Sequence, residues 1–151
     1  MAARFRKKPA SPALQLIESW REGADQVEAL AKQTTRALEQ GELGRAREHF
    51  ADYRGLLLTH LAHEEDVSFP AAARSAPSQD GPIKSLRLAH IGIRRDLEQV
   101  ATHLELGHVE AAGAVFSAFL ESFAAHERLE DQLLELLRKS RPATGPTRRS
   151  R

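Results

Sequence analysis

The chain has 151 residues, enough for one domain with a single substantial core, and a formal charge of +1 from 22 Lys and Arg against 21 Asp and Glu. It contains no cysteine, which excludes disulfides, iron–sulfur clusters, thiolate zinc sites and catalytic thiols, so any metal must sit on nitrogen and oxygen donors. No apolar run reaches the length of a membrane span and "MAARFRKKPASPA" lacks the apolar middle of a signal peptide, so a soluble, cytoplasmic protein without membrane contact is expected.

The charge is unevenly spread. Residues 1–11 carry Arg4, Arg6, Lys7 and Lys8 with no acid, and residues 138–151 add six more basic residues, again with no acid. Setting those ten aside leaves twelve basic against twenty-one acidic residues, a body charge near −9. The two segments read as basic disordered tails around a domain at 12–137. Only Phe5 interleaves with the tail charges, so nucleic acid is not an expected partner.

Four helices are predicted in chain order. Ser11 and Pro12 offer a cap and a first-turn proline, and Leu14, Ile17, Ala24, Val27, Leu30, Ala31 and Leu38 form an apolar series running to Gly41. The second runs from about Glu42 through Phe50, Tyr53, Leu57 and Leu61 to Phe69, where Pro70 and "AAARSAPSQDGP" are expected to stop it. The third begins near Ser85 and takes in Leu88, Ile91, Ile93, Leu97, Val100 and Leu104 before Gly107. The fourth extends from about Val109 through Phe116, Phe119, Phe123 and Leu133 to Leu137. The short "QGEL" and "LGHV" connections make each pair an antiparallel hairpin, and strand alternation is absent.

The two hairpins align without a gap at an offset of 66 residues. Gly41 meets Gly107, Phe50 meets Phe116, Tyr53 meets Phe119, His60 meets His126 and Glu64 meets Glu130, with Glu65 opposite Asp131. The expected fold is therefore all-α, an antiparallel up-down-up-down four-helix bundle made from an internally duplicated helical hairpin. Each half carries His-x-x-x-Glu, which stacks an imidazole and a carboxylate one helical turn apart on one face. Pseudo-twofold symmetry brings the two faces together, and two glutamates converging in an apolar interior are costly without a cation between them. His90 shares a helix face with Ile93, Leu97 and Leu104 and points inward, but its mate at the same offset is Ala24, so the donor set is lopsided. Mixed imidazole and carboxylate donors suit iron or manganese better than calcium or magnesium.

These residues give the chain a specific resemblance. "HLAHEEDVSFP", "AHIGIRRDLEQV" and "HERLEDQLL" resemble the second, third and fourth helices of the hemerythrin-like, or HHE, cation-binding family, over roughly residues 12–137. The resemblance implies a four-helix bundle with a non-haem di-iron centre that binds oxygen or, in some members, nitric oxide. It implies His60, His90 and His126 as terminal ligands and Glu64 and Glu130 as bridges. The family's first-helix histidine falls at Ala24, which leaves the first-half metal position short of a donor.

Glu28, one turn beyond Ala24, is an additional candidate, against its reading as a solvated acid; His63 could serve as a ligand, as a donor to a ligand, or as a boundary residue. Asp131 could replace Glu130 if the helix bulges. His49, His103 and His108 read as surface residues, and Arg94 and Arg95 as partners in ordinary surface salt bridges. The functional expectation is a di-iron protein binding oxygen or nitric oxide for sensing, buffering or delivery, with an unspecified redox partner. The alternatives are a di-iron oxidase or peroxidase-like enzyme, which the gap at Ala24 would favour, and a metal-poor bundle acting as a scaffold. No phosphate loop, dinucleotide fingerprint or paired nucleophile and base is present, which argues against a hydrolase or nucleotide enzyme.

Overall fold

The computed structural model describes residues 23–139. The N-terminal tail, the predicted helix start with Leu14 and Ile17, Trp20, and residues 140–151 lie outside the described residues. The helices are α1 (Ala24–Glu39), α2 (Leu43–His63), α3 (Phe69–Ser75), α4 (Asp80–Glu105) and α5 (Val109–Lys139). A π-helical turn, Glu64–Ser68, joins α2 to α3, so that the two behave as one long element with α3 as its extension. Among the described residues there is no strand. α1 packs on α2 and α4 on α5 as antiparallel hairpins, and α1 against α5 with α2 against α4 close the four-helix bundle.

The duplication is visible in the backbone itself. Gly41 and Gly107 both adopt left-handed conformations, with φ of 68° and 75°, which glycine reaches without a Cβ penalty. Around the first, Gly41 N–H donates to Leu38 O and Glu42 N–H to Ala37 O; around the second, Gly107 N–H donates to Leu104 O and His108 N–H to His103 O. Each pair of bonds is the same helix-ending motif displaced by 66 residues, so both hairpins turn in the same way. The core repeats with the turn: Ala46 and Ala112, Phe50 and Phe116, and Tyr53 and Phe119 are all buried. Between the two hairpins the rings cross at near right angles, Tyr53 on Phe116 at 5.4 Å between centroids, an arrangement that suits the aromatic quadrupole.

Two sequence expectations are corrected. Pro70 does not end the second helical element, which continues to Ser75. The π turn explains why. Phe69 N–H donates back five residues to Glu64 O, and Pro70 has no N–H to give, which would leave Glu65 O unanswered. Arg87 from α4 fills that place, its Nη2 donating to Glu65 O at 3.0 Å. The second correction concerns α4, which starts at Asp80 rather than Ser85, with Pro82 in its first turn. Its inward stripe is Ile83, Leu86, His90, Ile93, Leu97, Val100 and Leu104; Leu88 and Ile91, counted in the predicted apolar series, are 67% and 66% exposed. Among the described residues, no helix is long and apolar enough to cross a membrane.

Candidate metal centre

The centre lies where the inward faces of α2, α4 and α5 meet, towards the π-turn end of the bundle. α2 presents His60 and, at its junction with the π turn, Glu64; α4 presents His90; α5 presents His126 and Glu130 one turn apart. Glu64, His90, His126 and Glu130 are buried, and each offers one donor atom within 4.8 Å of the others, close enough to surround one ion. His60 stands at the edge of this group, 22% exposed, with Nε2 2.8 Å from Glu64 Oε1. The other oxygen of Glu64, Oε2, faces His90 Nε2 at 3.2 Å, so one carboxylate spans histidines from both halves of the repeat. His126 Nε2 lies 2.6 Å from Glu130 Oε1.

Short distances here do not mean satisfied groups. Both oxygens of Glu64 and the Nε2 atoms of His90 and His126 are fully buried without an aligned hydrogen bond. Buried polar atoms are almost always paired, so lone pairs that converge without bonding are better suited to a cation than to one another. Burial alone would push the Glu64 carboxyl up; the His60 and His90 imidazoles outweigh it and hold it down at about 2. At His60, burial opposes a charged ring, but Glu64 and then Glu130 and Glu127 overcome that and raise its pKa. Phe69 and Phe123 wall the site with apolar surface, their rings 5.3 Å from His90 and 6.0 Å from His126.

The family model for the hemerythrin HHE cation-binding domain matches residues 15–138. The chain belongs to that family. No curated protein and no solved structure matches it. A hemerythrin-type domain binds metal cations, and the donors present here fit that chemistry. Two imidazoles and two carboxylates, with no thiolate, make a set suited to first-row transition metals.

Beyond the donors, this hemerythrin domain holds an anchored second layer that the sequence reading left out. Glu65, one residue after the buried Glu64, turns to α4 and takes His90 Nδ1 at 2.8 Å. With Nδ1 as the donor, the lone pair of His90 sits on Nε2, the atom aimed into the cluster. Glu65 is itself held by Arg94, Nη1 to Oε1 at 2.8 Å and Nη2 to Oε2 at 3.1 Å, a two-pronged pair. Arg94, followed by burial acting the other way and then His90, keeps the Glu65 carboxyl below its usual range. Arg94 is therefore not an ordinary surface partner, whereas Arg95 pairs with its neighbour Asp96 as expected of one. The clue in the sequence was the acidic pair Glu64-Glu65, matched by Glu130-Asp131 at the repeat offset.

The remaining candidates separate cleanly. Glu28 is exposed and paired to Lys32 at 3.0 Å, and His63 is exposed on the outer side of α2. Asp131 stays on the surface because α5 runs through it without a bulge, so Glu130 takes the inward place. His103 and His108 face each other at 6.1 Å by the Gly107 turn, remote in sequence from the donors. Beside the centre is a cavity of about 210 Å³, walled by Ala24, Val27 and Phe123 and lined with His60, Glu127, Glu130 and Asp131. Larger surface clefts elsewhere have no buried acid or imidazole in their walls. Glu127 was not foreseen. Its carboxyl is pushed up by burial and by the charges of Glu130, Asp131 and Glu28, against a smaller pull from His126.

Proposed function

We propose that this protein holds non-haem iron at the Glu64, His90, His126 and Glu130 cluster, with His60 at its edge, and takes up oxygen or nitric oxide there. The observation that carries the reading is the convergence of four buried donors whose atoms, Glu130 apart, have no aligned hydrogen bonds to one another. Iron held there supplies the electrons and the free coordination place that a diatomic gas requires. The chain's own contribution is to fix the donors and keep water scarce. Glu64 sits between imidazoles, one facing each of its oxygens, His90 is fixed through Glu65, and Phe69 and Phe123 present apolar walls. Manganese fits the same donors, so the identity of the metal belongs to the proposal. A cytoplasmic location and service in sensing, buffering or delivery complete it.

Elemental analysis of protein purified from iron-supplemented cells, followed by anaerobic titration of the ferrous form with each gas, tests this reading. Tightly held iron and an absorbance change reversed by argon are expected. Protein without metal would favour the scaffold reading. The cavity beside Ala24 favours a second reading, an oxidase or peroxidase-like enzyme, because it admits molecules larger than a diatomic. A gas adduct that decays with turnover of an added reductant would select it.

The second layer gives its own expectation. Glu65→Gln or Arg94→Ala should weaken metal binding by about 10–100-fold, the range typical of partners that orient a ligating histidine. The metal-free fold should lose no more than about 1 kcal/mol, since the pair is partly exposed. Competition against a chelating dye, with thermal melts of metal-free protein, measures both. Equal affinity in all three proteins would show that His90 needs no help from Glu65.

A further inference from the structure

The duplication leaves each hairpin with an outer groove near its glycine turn, and the two grooves have diverged in charge. The first, of about 310 Å³, is lined by Lys32 and Arg36 of α1 and by Arg45 and His49 of α2, beside the Gly41 turn. In the second, of about 380 Å³, the positions matching Lys32 and Arg36 are Glu98 and Thr102. Ala111 and Val115 occupy the positions matching Arg45 and His49. The first groove thus gathers three of the twelve basic residues of a body charged near −9, with Glu42 as the one acid in its wall. Such a local reversal of sign attracts anions to the cleft.

We propose that this groove binds a diphosphate group, either as the free ion or carried on an ester. Its donors are available. Arg36 and His49 make no ion pair and no side-chain hydrogen bond among the described residues. Lys32 and Arg45 pair only with acids on their own side of the turn, Glu28 at 3.0 Å and Glu42 at 3.1 Å, and exposed pairs of this kind contribute little. The guanidinium forks of Arg36 and Arg45 match phosphate oxygens two at a time, Lys32 adds a point charge, and His49 adds a ring N–H. On each helix the two donors are four residues, or about 6 Å, apart, which suits two linked phosphates better than one. No aromatic ring lines the groove, so the diphosphate is what it grips, and not a base attached to it. The groove lies at the opposite end of α2 from His60 and Glu64, so the proposal is independent of the metal reading.

Calorimetric titration of the full-length protein with inorganic pyrophosphate, and in parallel with ADP, tests the assignment. Wild type is expected to bind pyrophosphate saturably. Arg36→Gln should weaken that binding by about tenfold or more, the loss that follows removal of a hydrogen bond to a charged group. Arg95→Gln takes the same charge from the second groove and should reproduce wild type. Both arginines are exposed, so neither change threatens the fold, and a melt of each variant checks this. The basic residues at the two chain ends and the inner metal centre are common to all three proteins, so their contributions cancel. Wild type that binds no pyrophosphate, or Arg36→Gln and Arg95→Gln proteins that behave alike, overturns the proposal. ADP equal to pyrophosphate supports an ester as the source, and weaker ADP supports the free ion. ADP bound tenfold more tightly overturns the diphosphate as the group recognised.

Discussion

His126→Ala is expected to empty the inner centre, with metal affinity falling by more than about 100-fold. Removing an outer partner of a ligating histidine already costs about 10–100-fold, and this change deletes one of four donors outright. The fold should weaken as well. The His126 ring lies 5.0 Å from His90 and stacks on Phe123, so its loss leaves a hole among packed rings and takes an imidazole from beside the buried Glu130. Core truncations of this size cost roughly 2–5 kcal/mol. His126→Asn separates the two effects, because it restores bulk and polarity without an imidazole: stability should largely return and metal should not. His103→Ala, at the other end of α4, should leave metal content untouched. Metal content by elemental analysis and chemical denaturation of the stripped proteins decide the matter. Equal metal loss in His126→Ala and His103→Ala would sink the assignment of the centre to the duplicated motif.

The features that proved legible in the sequence are those that depend on local periodicity. Helix spacing is a property of the backbone, so His60 with Glu64 and His126 with Glu130 fall on one face wherever the helix forms. Gly41 and Gly107 likewise mark turns that only a permissive residue reaches easily, and the repeat then tells how the hairpins pair. What escaped depended on partners far along the chain. Pro70 reads as a stop because its missing N–H is a local fact; that Arg87 answers Glu65 O is a contact across 22 residues. Leu88 and Ile91 belong to the apolar series read along that helix, but the stripe through Leu86, His90 and Ile93 turns them to solvent. Arg94 gave no sign of its task, since only the fold sets it against Glu65. Glu127 was hidden by the repeat itself, which places the apolar Leu61 opposite it.

Stripping the metal should lower the melting temperature by about 8–16 °C at neutral pH. An ion that binds only the folded chain adds about 4 kcal/mol when its free concentration is a thousand times Kd. For a chain of this length each kcal/mol moves the midpoint by about 2–4 °C. The physical source of the gain is the buried Glu64 and Glu130 pair, whose charges have little solvent to answer them. The pH dependence of the stripped protein follows from its shifted groups. Glu64 is held at about 2 against 4.5 for the free group, so its contribution is complete above 4.5 and lost as pH falls through about 2. His60 is raised above 6.5, so its contribution is complete below 6.5 and lost as pH rises through its folded value. Glu127 is raised above 4.5 and adds a penalty as it ionises, which tilts the balance towards the acid side. Stripped protein should therefore be most stable between 4.5 and 6.5. Loaded protein should behave differently, because ligating imidazoles must shed their protons and the ion gains as protons leave. The gap between loaded and stripped melting temperatures should thus widen from about pH 5 to about pH 7.5, across the range where imidazoles titrate. Melts with and without excess chelator across that range measure it. A gap that stays flat with pH would place the ion on exposed carboxylates instead of on His90 and His126.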